Sequence, residues 1–589
     1  MKSKIQIIMK NIYFTFLLTS FFSTLYCQSF QLLWSDVGNV SGVIKSAAVN
    51  PKDNNLYFVG DGHMFGNIYK FDKVTGNHSL FFSFPKPNQL PGTLDELAEF
   101  AVVVEKIAFD NQNNLIFYGR THNENLGTTG VYSPTPFPPT FYSGHSFICK
   151  INQSGTIVWF TYFHDLLQNK NSLTIDNQNN IYVLNLRHKT QSLSPNTFQQ
   201  NSDLNSKTEY QTVISKISPN GNHIWSTFYF NDNSDLYSIE AGTNGVYVYG
   251  VYKGFNQLND FFSTVNSFQP LPGLTSSNSF NSKVFLSKFN TNGQRIWSTY
   301  YGNRTTSSPT TYLHFQNSLL VINDEPYIIT THHYDIQLHT SNMATNDAFM
   351  KKPIHNFQNN TLTKFNQNGI REWCTYLYCG SGIDKTTYND LMLIGELFVE
   401  DEDKKYITSN SHQSLHGGNK DMYLSIISND GKQLKYGSFY GYEGVESGSI
   451  LTFENGYYIF GSTSGNLLKT NNFSTSNQEF YGNSPGHYWG RFTSAFQYNT
   501  LSDNKTTQNN IKTFLYPNPA IDVINISSEG SFLTNTQFTI YDINGKKVIT
   551  QKYNNDNHHS IKISNLNPGV YILQIKGDGI NQSHKFIKK

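Results

Sequence analysis

The sequence predicts an all-β protein, a seven-bladed β-propeller over residues 28–500 followed by a small Ig-like β-sandwich over 514–589. Three observations carry that prediction. One hairpin is written several times through the middle of the chain, a second short-strand theme recurs between its copies, and the text changes after a polar linker at 501–513.

The hairpin copies are FICKINQSGTIVWFTYF at 147–163, VISKISPNGNHIWSTFYF at 213–230, VFLSKFNTNGQRIWSTYY at 284–301 and TLTKFNQNGIREWCTYLY at 361–378. In each, Lys precedes a Gly by five and Trp follows that Gly by four: Lys150/Gly155/Trp159, Lys216/Gly221/Trp225, Lys288/Gly293/Trp297 and Lys364/Gly369/Trp373. Worn copies around Gly76 and Gly431 keep the turn and lack the Trp. Every copy reads as two alternating strands joined by an Asn/Ser-Gly turn, and the Trp reads as an inter-blade packing residue.

Between copies stands a turn such as DNQNN and then a short hydrophobic strand: NNLYFVG at 54–60, NNLIFYG at 113–119, NNIYVLN at 179–185, GVYVYG at 245–250, EPYIITT at 325–331, KKYITSN at 404–410 and GYYIFGS at 456–462. A further strand precedes each, as in EKIAFD and SLTID, so one repeat supplies about four strands, and seven repeats make the arithmetic of a propeller. The ends support closure. Trp34-Ser35 in FQLLWSDVG matches the second half of the hairpin and HYWGRFTSAFQY at 487–498 the first half, so together they complete one blade and remove an open edge. The excess length sits in inserts at 130–144, 193–210, 271–282 and 467–486, all at one repeat phase, where they would build up one face.

Composition narrows the function classes. Apolar residues at 38% plus 42 Gly are an ordinary globular share, which excludes disorder over most of the chain. Charged residues are only 14% against 15% aromatic, so long charged helices are excluded. With 43 Lys+Arg and 42 Asp+Glu the net charge is +1, no footprint for nucleic acid.

The first residues carry Lys2, Lys4 and Lys10, then IYFTFLLTSFFSTLYC, the layout of a secretory signal peptide over 1–27 with cleavage between Cys27 and Gln28. A start at Met9 gives a tidier signal, and acylation of Cys27 is the alternative, which Tyr26 fits poorly. No later run reaches the 18 or so apolar residues of a membrane helix. Cys149, Cys374 and Cys379 then remain, an odd number read as buried small hydrophobes rather than a disulfide framework.

The hairpin K-x-N-x-x-G-x-x-x-W-S-T-Y with N-N-I-Y-V-x-G resembles the short β-propeller repeats of secreted bacterial proteins, a resemblance that implies a fold and no activity. From Phe514 the text reads FLYPNPAIDVINIS, FTIYDINGKKVITQ and IKISNLNPGVYILQIKGDG, then HKFIKK. The set Tyr516-Pro517-Asn518-Pro519, Asp542 to Gly545-Lys546, Leu566 to Gly569-Val570-Tyr571 and the basic tail resembles the C-terminal sorting domain of type IX secretion substrates of Bacteroidetes-type bacteria. That resemblance implies the type IX machinery as partner and release or attachment at the cell surface, usually after the domain is removed.

Three enzyme chemistries find only partial matches among the residues. The Gly-to-Trp spacing resembles quinoprotein dehydrogenase blades, whose cofactor site usually needs a vicinal Cys pair that is absent. Sialidase turns would need an Asp and a spacing one shorter. Paired carboxylates for glycoside cleavage are offered by Asp95/Glu96/Glu99 and Glu400-Asp401-Glu402-Asp403, read as solvated loop charges. DNQNN at Asp110 and Asp176 mimics the start of a calcium loop but lacks its Gly and final Glu, which leaves calcium as the minor alternative to no cofactor. His332-His333 face opposite ways on a strand and are ill placed to share a metal. The expectation is an exported binding or adhesion module, with a glycan or a surface protein as partner and Tyr132, Phe137, Phe141 and Tyr142 as sugar-stacking candidates. A secreted polysaccharide-active or other hydrolytic enzyme is the alternative.

Overall fold

The hairpin turns set the strand pairing. Gly155, Gly221, Gly293 and Gly369 all sit at φ between +78° and +79°, left-handed backbone that a Cβ penalises, and the worn copies keep it at Gly76 and Gly431. In the four full copies the turn glycine donates its N–H three residues back, as Gly221 to Ser218 at 3.0 Å and Gly369 to Asn366 at 3.0 Å. A register shift follows the repeat Lys in all four full copies, so Lys and Trp face one another across the hairpin.

A computed structural model describes residues 29–589 except 39–43, 61–64, 86–100, 138–143, 165–171, 254–258, 273–281, 306–317, 334–342, 353–357, 399–403, 442–443, 464–489, 500–511, 530–535, 543–544, 554–557 and 578–579. The expected signal peptide with its Cys27/Gln28 junction, the acidic pairs at 95–99 and 400–403, Phe141 and Tyr142 lie outside the described residues. The chain divides into two compact units, Met1–Tyr498 and Asn499–Lys589.

In the first unit the described residues form seven four-stranded antiparallel sheets. Their first strands neighbour one another in a closed cycle: Ile44–Val49, Val102–Phe109, Leu173–Ile175, Ser234–Gly242, Leu319–Ile322, Gly382–Lys385, Glu446–Phe453 and back to Ile44–Val49. This is a β-propeller. Apolar layers lie between neighbouring sheets, as where Ile116, Tyr118 and Ile148 pack on Leu173, Ile181 and Ile217.

The last sheet is completed by the first strand of the chain. Ser29–Gly38 pairs with Gly490–Asn499, beside Gly456–Thr463 and Glu446–Phe453. Trp34 then does for the ring what the repeat tryptophans do between internal sheets. A Cβ on Gly76 would come within 2.7 Å of the Trp34 ring, and one on Gly221, Gly293, Gly369 or Gly431 within 2.6–2.9 Å of Trp159, Trp225, Trp297 or Trp373 of the preceding sheet. The indole N–H donates into the same neighbouring turn: Trp34 to Lys73 O at 2.9 Å, Trp159 to Pro219 O at 3.0 Å, Trp225 to Thr291 O at 2.8 Å and Trp297 to Gln367 O at 2.8 Å. Trp373 makes the stack without that bond among the described residues.

The inserts between second and third strands cover edges. Residues 128–133 bond the outer strand Ile157–Tyr162 through Thr128 N to Phe160 O and Tyr162 N to Ser133 O. Equivalent bonds run from Phe228 to Gln199, Tyr300 to Gln269, Tyr376 to Met350 and Phe439 to Gln413. Three inserts also bond the turn glycine of the next sheet, Tyr132 N to Gly221 O, Phe198 N to Gly293 O and Phe349 N to Gly431 O. An outer strand would otherwise offer an unpaired row of N–H and C=O groups, so these segments are structural before they are a binding face.

Two expectations are corrected. KKYITSN is not a strand: Lys404–Tyr406 is a 3-10 turn, and the second strand of that sheet is Leu391–Phe398, announced by Asn389 at φ +60° much as Asn113 and Asn179 announce theirs. The second unit begins inside the stretch read as linker, because Lys512–Tyr516 already pairs with Val523–Glu529. Cys149, Cys374 and Cys379 are buried free thiols.

The second unit is a sandwich. One sheet is Lys512–Tyr516, Val523–Glu529 and His558–Lys562, and the other is Lys547–Tyr553, Thr536–Asp542, Gly569–Gly577 and Ile580–Lys588. Alternate residues meet in its core, including Ile524, Ile526 and Ile561 with Phe538, Ile540, Leu573, Ile575 and Phe586.

Candidate functional site

The repeat Trp and Gly meet across sheets while the repeat Lys finds its acid or ring within its own sheet, and their chemistry is packing. Lys150 is 5% exposed and its Nζ lies 2.8 Å from Asp110 Oδ2. Lys216 and Lys288 stand over Tyr182 and Tyr247 at 5.2 and 5.0 Å, and Lys364 binds Glu325 and Glu372 at 2.7 and 2.8 Å. The Asp of the DNQNN turn is taken up locally. Asp110 Oδ1 accepts from the N–H groups of Gln112 and Asn114 at 2.9 and 2.8 Å, and Asn114 Nδ2 reaches Oδ2 at 3.0 Å. Burial works against the Asp110 charge, yet the Lys150 and Asn114 donors hold its carboxyl below the ordinary range. Asp176 repeats the pattern with Gln178 and Asn180. These oxygens face donors, which is what a turn staple requires. Among the described residues no three His, Cys, Asp or Glu side chains form a group that could hold a metal ion.

The centre of the ring collects charge that no motif announced. Lys106 on Val102–Phe109, Glu240 on Ser234–Gly242, and Asp384 and Lys385 on Gly382–Lys385 come from alternate first strands and feel one another across the centre. Burial pushes the Glu240 carboxyl up to about 7, with Lys106 opposing and Asp384 adding to the rise. Asp384 is likewise raised by burial although Thr452 donates to it from N at 2.8 Å and Oγ1 at 3.1 Å, and burial lowers Lys106. A sequence scan could not pair these groups because they lie about 140 residues apart.

The shift has a measurable consequence. Glu240 is protonated more readily folded than unfolded, so its ionisation weakens the fold as pH rises from about 4.5 to about 7. Glu240→Gln is expected to raise stability at pH 8 by about 1–2 kcal/mol, after allowance for water at the centre, and to change it little at pH 4. Thermal unfolding of both proteins at the two pH values checks this; an equal effect at both would remove the carboxyl from the account.

The aromatic candidates are partly engaged. Tyr132 stacks on His223 at 5.0 Å and lies 5.6 Å from Phe163, while Phe137 lies 3.9 Å from His164. The Tyr132/His223 stack has counterparts in Phe198 under Arg295 at 4.3 Å and Phe268 under Arg371 at 4.9 Å, so at these three junctions an insert aromatic is structural.

In the second unit the predicted motif residues form three local devices. Asn518, beside exposed Pro517 and Pro519, ties the first strand to the last: its Nδ2 donates to Lys585 O at 3.0 Å and its Oδ1 accepts from Ile587 N at 2.9 Å. Asp542 closes a turn with Lys546 N at 2.9 Å, and Gly545 there has φ +75°. Tyr571 stacks on Phe586 at 5.7 Å and its hydroxyl donates to Asn567 O at 2.9 Å, while Leu566 N bonds Ile563 O and Gly569 opens the next strand. Residues 514–589 match the family described as secretion system C-terminal sorting domain.

This unit is a type IX secretion sorting domain. The protein is therefore secreted or displayed at the cell surface, sorted by the type IX system, and its sorting domain engages that machinery. No helix among the described residues is long and apolar enough to cross a membrane.

No curated protein matches the chain. Among solved structures it is similar to quinohemoprotein alcohol dehydrogenase from Comamonas testosteroni, at 10% identity over 84% of this chain and 79% of that one, with a TM-score of 0.36. It is also similar to a protein of unknown function from Dyadobacter fermentans, at 7% identity over 80% and 99% with a TM-score of 0.33. Phage phi92 endosialidase aligns at 9% identity over 95% and 87% with a TM-score of 0.33.

Proposed function

We propose that the sorting-domain protein is a cell-surface or secreted binding or adhesion module, with a glycan as ligand and its propeller, of the short-repeat kind found in secreted bacterial proteins, as the binding domain. The proposal includes a signal peptide over 1–27 removed between Cys27 and Gln28. The observation that carries it is how the described carboxylates are used: Glu105 with Lys45 and Arg120, Asp110 with Lys150, Asp390 with Lys435 and Asp36 with Arg491 are held in ion pairs between strands or sheets. Such groups build a rigid platform and leave recognition to the inserts.

A second reading, a polysaccharide-active or other hydrolytic enzyme, draws on Glu240 and Asp384, two carboxyls raised by burial at the centre of the ring. Incubating the purified protein with a panel of polysaccharides, and scoring both retention and new reducing ends, separates the two. Retention without reducing ends is expected. Reducing ends that vanish in Glu240→Gln would establish the enzyme instead, and retention equal to that on a blank surface would remove the glycan.

A further inference from the structure

The junction between the second and third sheets departs from the repeat in a way folding does not require. At three other junctions a tyrosine at the end of the outer strand sends its hydroxyl to a hydroxyl or thiol pair in the next sheet, Tyr229 to Ser287 and Ser298, Tyr301 to Thr363 and Cys374, Tyr440 to Ser35 and Ser494, while the fifth sheet has Leu377 at that position. At this junction the tyrosine is replaced by Phe163. The waiting pair, Ser215 and Ser226, 2.7 Å apart, is satisfied instead by Asn185 Nδ2 at 2.7 Å and by a 2.7 Å contact with His223 Nε2.

Above Phe163 stands Arg187. Its guanidinium lies 5.7 Å from the ring centroid, and its Nε donates to Asn185 Oδ1 at 3.3 Å. It is 5% exposed, with the Tyr132 hydroxyl beside it and His164 nearby. No acidic side chain among the described residues pairs with it, whereas the comparably buried Arg491 has Asp36 at 3.1 Å and Arg120 has Glu105 at 3.2 Å. At the matching position of the second strand other sheets carry Thr121, Tyr252, His332, Leu397 or Thr463. Burying a guanidinium that meets no acid among the described residues is costly, and the repeat shows that the fold is built elsewhere without an arginine at this position.

We infer that Arg187 is the floor of an anion site between these two sheets, taking the carboxylate of an acidic sugar, with Tyr132, Phe137 and His164 as its rim. The guanidinium provides a flat fork for a carboxylate, and the half-buried rings of Phe137 and His164, packed on one another at 3.9 Å, form an apolar rim for a sugar ring. The inference rests on the glycan-binding reading and narrows it to a substrate class.

The test measures thermal shift and calorimetric binding of the intact protein with glucuronate, glucose and acetate. Glucuronate is expected to bind at least ten-fold more tightly than glucose or acetate, and Arg187→Met to lose that preference while melting no lower than the wild type. Tyr132→Phe, which keeps the ring stack and removes only the hydroxyl, is expected to weaken glucuronate several-fold. Equal binding of glucuronate and glucose, or of acetate and glucuronate, overturns the inference. So does an Arg187→Met protein that melts more than about 5 °C lower or does not fold, since the arginine would then be holding the sheets together. Binding of neutral glycans alone would overturn this site and leave the binding module standing.

Discussion

Deleting residues 514–589 is expected to keep the protein in the cells and out of both the medium and the outer surface, a loss of at least ten-fold in the exported fraction. The physical basis is that the sandwich has its own core of Ile524, Ile526, Phe538, Ile540, Leu573 and Phe586 and forms a compact unit of its own. Its removal takes away the sorting signal and leaves the propeller sheets intact. Tyr571→Ala should give the same defect in milder form. It opens a cavity beside Phe586 and leaves the Asn567 carbonyl without its donor, a cost of about 3–5 kcal/mol in a domain of only some 75 residues. Immunodetection on whole cells, in medium and in lysate measures both; undiminished surface protein after the deletion would show that another signal directs export.

Trp34→Ala should destabilise the propeller by about 4 kcal/mol, as much as any internal repeat tryptophan, although it lies near the start of the chain. Trp34 is 1% exposed, stacks on Phe71 at 5.4 Å, packs on Gly76 and donates to Lys73 O, and all of these partners belong to the first sheet while the strand of Trp34 belongs to the last. Losing it weakens the one joint that closes the cycle, with Glu454 and Tyr458 bonding Asn54 across the same seam. Removing Ser29–Gly38 altogether exposes the Gly490–Asn499 edge and is expected to give aggregation. Chemical denaturation of the full protein and of Trp297→Ala alongside it provides the comparison. A midpoint for Trp34→Ala within 0.5 kcal/mol of wild type would mean that closure contributes nothing to stability.

Much of the architecture was legible because repetition multiplies a weak signal. One Asn-Gly turn with a Trp four residues on is ambiguous, but four copies with the same Lys spacing identify a hairpin, and Trp34-Ser35 was recognisable as the missing half of one. KKYITSN misled because a short apolar segment has no period long enough to separate a strand from a turn, and the true strand, LMLIGELF at 391–398, carries none of the Asn-Asn text of its equivalents. The inserts were visible as length, but their hydrogen bonds along outer strands were not, since that pairing depends on where an irregular backbone runs.

Local chemistry and spacing belong to the sequence: turn glycines, alternating strands, the pairing of Lys with Trp, the sorting motif at Asn518, Asp542, Gly545 and Tyr571, and the division into a repeat and a tail. The tertiary structure alone decided what meets across sheets. Glu240, Lys106 and Asp384 come together only because three first strands share the centre of the ring, and Arg187 is buried over Phe163 only because of what the neighbouring sheet puts opposite it. Burial and partner determine the chemistry of a charge, and both are properties of surfaces that touch after the ring has closed.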